Sequence, residues 1–516
     1  MRNVYAFDFS PEGELFGFDS DMEWDWGTPW YRPTRIVHLV AGGDYGWRDG
    51  TRTWPDYYED SLPPVVNVGI GSPTGVRFAT GSCFPERLRR ALFAMDWSYG
   101  RILAVHLQPD GSSYGATYEP FLRGTALNLT DMDFGPDGAL YFITGGRGTQ
   151  SGLYRVRPRA ATVLAEPAGK RGEAKASTQT SSVWAEGADR RALLHQLERV
   201  EAGGGAAALE TVWPHLGDPD RFIRFAARLA LERQAPSTWK DRALGETNRM
   251  TAFTALLALA RVGETTAQEA LLNALSRFPL DQLADAEKLM KCRVLEVSLI
   301  RSARPGSATV PLLVEELQRQ YPARSWPLNR ELSRLLIYLD APGAIGQTLA
   351  LLARAATGEE QFHYVSQLRH VRGGWTLPQR RAFLELVVET ATPCSVPLSC
   401  CGGLRRSAGV MSMAPGSDGG CENSGPMFLT LSPAERRPLA ALIDVPFQRR
   451  CRCRRWRGRS FGNDPGGPVA RRGTPGRRPR RRTGTAGRCG SVSELPPFWQ
   501  RRRGGGPGID RGRQQV

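Results

Sequence analysis

The pattern of apolar and polar positions changes period along the chain. From residue 1 to 156 apolar residues fall in short runs broken by Gly, Pro and Asp, the pattern of strands joined by tight turns. Phe7-Asp8-Phe9-Ser10-Pro11-Glu12-Gly13-Glu14-Leu15-Phe16 recurs as Met132-Asp133-Phe134-Gly135-Pro136-Asp137-Gly138-Ala139-Leu140-Tyr141. A looser copy runs from Gly75-Val76-Arg77-Phe78 to Ala91-Leu92-Phe93-Ala94-Met95-Asp96. A repeated strand, tight turn and strand is the unit of a propeller blade. About three such units are fewer than the four to eight blades that closure requires, so 1–156 is expected to be a partial, all-β propeller.

Residues 157–190, rich in Ala, Glu, Ser and Thr, read as a linker. From 191 to 391 apolar residues recur at helical spacing. In Asp218–Leu231, Asp-Pro opens a helix whose apolar face is Phe222, Phe225, Ala226, Leu229 and Ala230. Further helices are predicted at 248–262, 265–278, 284–303, 308–320, 328–339, 343–356 and 377–391, with breaks such as Arg304-Pro305-Gly306. Paired amphipathic helices with short turns predict an α-solenoid of HEAT-like repeats. Residues 392–516 lose all periodicity, and their Arg, Gly and Pro content predicts a tail that does not fold.

Charge sharpens this division. The formal net charge of +16 invites a nucleic-acid reading. Yet residues 396–516 hold 24 Arg, no Lys and seven acidic residues, a net of +17, which leaves −1 for the rest. A neutral body with a basic tail lacking interleaved aromatics argues against specific nucleic-acid binding. No apolar run reaches the roughly 18 residues of a membrane span. Met1 leads straight into strand-like Val4–Phe7, so no signal peptide is expected in this chain. Seven of the nine cysteines lie in the tail, without paired C-x-x-C spacing and His partners.

Two clusters near the start carry candidate chemistry. Asp19, Asp21, Glu23 and Asp25 place oxygen ligands at alternating positions, as calcium would use, and equally as a strand end with one wet face would show. Trp24, Trp26, Trp30 and Tyr31 would stack a sugar or pack a blade, with packing favoured. Tyr45-Gly46-Trp47 reads as a turn with a core anchor, and His106 as a strand residue at a blade edge.

Arg2-Asn3 and Gly42-Gly43-Asp44-Tyr45-Gly46-Trp47 resemble soluble glucose/sorbosone dehydrogenases. A closer resemblance is to large planctomycete-type proteins called membrane-bound dehydrogenases, in which a propeller precedes HEAT-like helices and a C-terminal cytochrome c domain. Asp19–Gly27, Trp30–Arg35, Gly71–Gly75, Gly145–Tyr154, His363-Tyr364, Gly374–Leu377 and Gln379–Arg381 carry it, over roughly 1–386. The resemblance implies oxidation of a sugar or alcohol by pyrroloquinoline quinone (PQQ) with calcium, a His taking the proton, and export from the cytoplasm. It assigns Arg2 and Asn3 to the quinone, with an Arg–carboxylate pair, and leaves the calcium reading on Asp19, Asp21 and Glu23. The family's catalytic His lies upstream of the segment matched here; His38 is not that base, and no catalytic residue is assigned.

The resemblance also implies a C-x-x-C-H haem attachment near the C-terminus, which this frame lacks, so no haem can attach as written. Read one base forward, Val492–Arg513 permits C-x-S-C-H-R-F-G-N-E-G-G and then P-x-L-T-G, like the family's cytochrome c end. Residues 431–444 resemble the family in frame, whereas about 388–428 and 449–516 look shifted, so at least two frame changes are expected. The chain is thus expected to be a fragment of a quinoprotein-like dehydrogenase, inactive as written. The alternative is a non-catalytic scaffold whose propeller and HEAT-like face bind protein or carbohydrate.

Overall fold

The computed structural model describes residues 1–25, 30–48, 53–146, 148–158, 186–302 and 304–391. The expected linker falls largely, and the expected tail wholly, outside them.

Strands β1 (Phe7–Phe9) and β2 (Leu15–Asp19) lead through a ribbon, β3 (Met22–Asp25) and β4 (Trp30–Arg32), into β5 (Thr34–Leu39) and β6 (Val66–Gly69). Strands β1, β2, β5 and β6 form the first sheet in that order. Strands β7 (Pro73–Phe78), β8 (Leu92–Asp96), β9 (Arg101–Asp110) and β10 (Ser113–Arg123) form the second, with the short helix α1 (Glu86–Arg89) between its first two strands. Strands β11 (Leu129–Phe134), β12 (Leu140–Gly146) and β13 (Thr149–Val156) form the third. Every pairing is antiparallel.

The repeat seen in the sequence is the first hairpin of each sheet. Its turn works the same way in the first and third sheets: Gly13 (φ +91°) and Gly138 (φ +72°) take left-handed conformations that glycine adopts at no steric cost, and their N–H groups close on Ser10 and Gly135. Strand alternation then gives each sheet two faces. Phe16, Phe18 and Ile36 of the first sheet pack on Val76, Phe78, Leu92, Ala94, Leu103 and Val105 of the second. On the second sheet's opposite face, Phe93, Met95, Ile102 and Ala104 pack on Met132, Leu140 and Phe142 of the third. Of the expected propeller, this stack of repeated antiparallel sheets is present; no sheet closes on itself among the described residues.

The helical part comprises α2 (Ala188–Glu198), α3 (Gly205–Val212), α4 (Arg221–Glu232), α5 (Lys240–Gly245), α6 (Arg249–Val262), α7 (Gln268–Ser276), α8 (Asp285–Ser302), α9 (Thr309–Arg319), α10 (Trp326–Tyr338), α11 (Ala344–Leu352), α12 (Gly358–Leu368) and α13 (Leu377–Ala391). Helices α2, α4, α6, α8, α10 and α12 pack each against the next in one row, with α5 beside α7 and α11 beside α13. The helices predicted from 218 onward are present with shifted ends; the one expected to reach 356 stops at Leu352. Helix α4 is capped by Asp220, whose carboxylate accepts from the Phe222 and Ile223 N–H groups. Phe222, Phe225, Ala226 and Ala230 are buried as the pattern predicts. Arg224 and Arg228, on what reads as its polar face, are buried as well. The helices share a core that includes Val37, Tyr45 and Leu62 of the sheet part.

Candidate functional site

The predicted site residues meet at one end of the first sheet. The buried Asp19 carboxylate, at the end of β2, accepts from the backbone N–H groups of Arg2 (3.0 Å), Asn3 (2.9 Å) and Ser20 (3.1 Å) and pairs with Arg35 (3.0 Å) on β5. The Arg2 guanidinium donates to the Asp21 carbonyl (2.5 Å) and lies 3.3 Å from the Glu23 carboxylate. Tyr31 donates to Asp21. Burial, partly offset by that bond, holds the Asp21 carboxyl above its usual range, and burial together with Asp21 pushes the Tyr31 phenol up. Asp25 pairs with Arg32 (2.7 Å) and accepts from the Thr53 N–H.

Asp19 is therefore saturated by backbone donors and a guanidinium, and Glu23 and Asp21 both face Arg2. Among the described residues, no group of three or more His, Cys, Asp or Glu has the geometry to hold a metal ion. The Asp19, Asp21 and Glu23 set thus does not fit calcium as arranged. Arg2 and Asn3 do not form an anion cradle either: two carboxylates already oppose the guanidinium, and the Asn3 backbone N–H is spent on Asp19.

The role of Asp19 is repeated in the second sheet, where the sequence reading missed it. Asp96, buried at the end of β8, accepts from the N–H groups of Ser72 (2.9 Å) and Ser98 (3.1 Å) and pairs with Arg101 (2.8 Å) on β9. Leu15-Phe16-Gly17-Phe18-Asp19 and Leu92-Phe93-Ala94-Met95-Asp96 are equivalent strands, with Asp19 opposite Arg35 and Asp96 opposite Arg101 in register. A Cβ on Gly71 would meet the Asp96 carboxylate at 2.7 Å, so that close approach requires glycine. In the third sheet Thr144 takes the equivalent place.

A second cluster joins sheets to helices. Glu14, after the first turn, accepts from His38 (3.1 Å) on β5 and from His195 (2.9 Å) on α2, while the other His38 nitrogen contacts Ser113 Oγ (3.0 Å). Burial, which acts to raise the Glu14 carboxyl, is outweighed by its two histidine bonds, which hold it below its usual range. At His195 burial acts downward, and bonds to Glu198 and Glu14 outweigh it and raise the imidazole. Ser113, His38 and Glu14 are all buried, so this cluster ties β5, β10 and α2 together.

The third cluster is the largest. Residues 53–62 lie against the row α4, α6, α8 and α10. Asp60, fully buried, takes two bonds from Arg293 (3.0 and 2.8 Å) and one from Arg261 (3.1 Å). Tyr57 donates to Glu331 (2.6 Å), and Tyr58 to Glu331 and Glu296, with Arg334 closing on Glu296 and Tyr58. The Arg293 guanidinium stacks on Trp54 and Tyr58. Residues 53–62 thus bind along the helix row as a segment of the same chain. Elsewhere Tyr45 is buried, its hydroxyl donating to the His38 carbonyl, Trp30 packs on Phe362, and His106 contacts Glu119 (3.1 Å).

No helix is long and apolar enough to cross a membrane among the described residues. No protein-family model matches the chain, and no curated protein matches it. A crystal structure from Thermus thermophilus, described as an oxidoreductase (glucose dehydrogenase), is similar over 30% of this chain at 21% identity, with a TM-score of 0.24. The match covers 45% of that structure, so this chain spans less than half its length.

Proposed function

We propose that the chain is part of a quinoprotein-like sugar or alcohol dehydrogenase: 1–156 supplies consecutive propeller blades and 191–391 a HEAT-like α-solenoid against them. The observation that carries the reading is the repeated sheet, with Asp19 and Asp96 at one strand position, each paired to an arginine on the following strand. Such sheets extend by adding copies until a ring of four to eight closes. In intact form the protein would oxidise a carbohydrate outside the cytoplasm and pass electrons to a covalently bound c-type haem. PQQ with calcium would supply the redox chemistry. The residues of this chain do not fit either group as arranged, so no step is derived through them.

The chain by itself is inactive on this reading. Given PQQ, calcium and a panel of sugars, the purified chain should reduce no artificial electron acceptor, and clear turnover would overturn that. The DNA of the locus tests the family reading: a shifted frame encoding C-x-x-C-H supports it, and reads that uphold the written frame throughout overturn it.

A further inference from the structure

One histidine sits where no neutral tautomer fits. His195, on α2, places Nδ1 2.9 Å from the Glu198 carboxylate and Nε2 2.9 Å from that of Glu14. A neutral imidazole carries one N–H and one lone pair, so either tautomer would turn a lone pair on a carboxylate. Only the imidazolium donates to both. Of the three groups the imidazole is the most basic, so the proton resides there. His38 gives the contrast: its Nε2–H meets Glu14 (3.1 Å) and its Nδ1 meets the Ser113 hydroxyl (3.0 Å), which can donate, so a neutral ring satisfies both neighbours.

The other charges around His195 leave it as the bridge. Arg191, on the same helix, lies 3.8 Å from Glu14, and Arg233, just after α4, donates to the Glu198 backbone carbonyl (2.9 Å). The Glu14 and Glu198 side chains are 5% and 15% exposed, so water answers them poorly once the imidazolium is gone, whereas the His195 side chain, 36% exposed, exchanges its proton with solvent. Glu14 precedes β2, and Glu198 also accepts the N–H of Ala41 just beyond β5 (2.8 Å), so the bridge ties α2 to two strands of the first sheet. Two other joints between helices and sheets, Arg293 with Asp60 (2.8 Å) and Arg32 with Glu359 (2.6 Å), use guanidinium and carboxylate, groups that keep their charge from about pH 6 to 9.5.

We propose that His195 is a proton-controlled latch: its imidazolium holds α2 on the first sheet, and its loss in alkaline solution loosens that joint while the other two stay closed. The direction follows from the raised imidazole, whose contribution is present below 6.5 and lost as pH rises through its folded value. This inference is independent of the dehydrogenase reading.

Hydrogen exchange of the full chain, followed by mass spectrometry from about pH 6 to 9.5 and corrected for the exchange of free amides, should show peptides covering α2 and Ala41 losing protection together. The loss should be about tenfold to a hundredfold, the worth of a hydrogen bond to a charged group, while 53–62 and α8 keep their protection. In His195→Gln, α2 should have the low protection already at about pH 6. In Glu198→Gln it should keep the high protection to about pH 9.5, since the amide oxygen retains the Ala41 N–H and the amide nitrogen donates to Nδ1, so a neutral imidazole fits. Wild-type protection of α2 that does not change with pH, a loss shared by 53–62, His195→Gln still protected at about pH 6, or Glu198→Gln following the wild-type curve would each overturn the proposal.

Discussion

Removing the Asp60 carboxylate tests the account of the junction most directly. Asp60 is fully buried, and Arg293, whose side chain is 5% exposed, donates to it twice, with Arg261 at 3.1 Å and Arg228 contributing a further positive charge. In Asp60→Ala the buried Arg293 loses its bidentate partner and keeps only Glu296 (2.7 Å), while Arg261 and Arg228 retain Glu232. Breaking one side of a buried pair costs about 3–5 kcal/mol, because the stranded charge cannot be rehydrated. Urea unfolding followed by circular dichroism and by tryptophan fluorescence would measure the loss; Trp54, stacked against Arg293, reports the junction itself. Separation of the two curves would reveal the sheets detaching before the helices unfold. Replacing both partners, Asp60→Leu with Arg293→Met, should recover most of the loss, since an apolar pair of similar size carries no desolvation penalty. A loss below about 1 kcal/mol for Asp60→Ala, the value of an exposed ion pair, would refute this reasoning.

Asp96→Ala removes the buried acceptor of the Ser72 and Ser98 N–H groups and the ion-pair partner of Arg101, which keeps the Ile70 carbonyl, and should cost about 1–3 kcal/mol, read by thermal melting. Asp220→Ala removes both the α4 cap and the acceptor of the Ser112 N–H (2.6 Å), so the loss should exceed the roughly 1 kcal/mol of a simple cap. The Glu14 cluster predicts a pH window. The lowered Glu14 carboxyl contributes stability above its unfolded value of 4.5 that is lost as pH falls through its folded value, and the raised His195 contributes stability below 6.5 that is lost as pH rises through its folded value. His195→Gln should flatten the high-pH side of a stability–pH curve and, by weakening one of the two histidine interactions that lower Glu14, also reduce the low-pH dependence; an unchanged profile would refute the assignment.

How much was legible depends on the range of the interaction that makes each feature. The Pro-acidic-Gly turns act over a few residues and lie where the pattern places them; the α4 cap is equally local, but it is Asp220, two residues after the Asp218-Pro219 start the pattern predicts. The acidic run at 19–25 was visible as a cluster, but a carboxylate that collects backbone N–H groups and one that binds a cation look alike in sequence. Leu-x-x-x-Asp at 15–19 and 92–96 was the available clue that Asp19 serves the sheet. Glu14, His38 and His195 offered no comparable clue, because nothing local brings residue 14 to residue 195.

The sequence by itself determined the two periods, the repeated hairpins and the helix row, because period two and period 3.6 are set by backbone hydrogen bonding along each segment. Only the tertiary structure decided where the charges go. Arg224 and Arg228 on α4 have the spacing of a solvated face, and they are buried because residues 53–62 lie across it. Asp60 and Arg293 are 233 residues apart, and their pairing depends on the approach of two separately formed layers. Spacing cannot encode such a pair: its attraction, and the desolvation cost it must offset, both depend on the low dielectric created when the two surfaces meet, a property of neither segment taken singly.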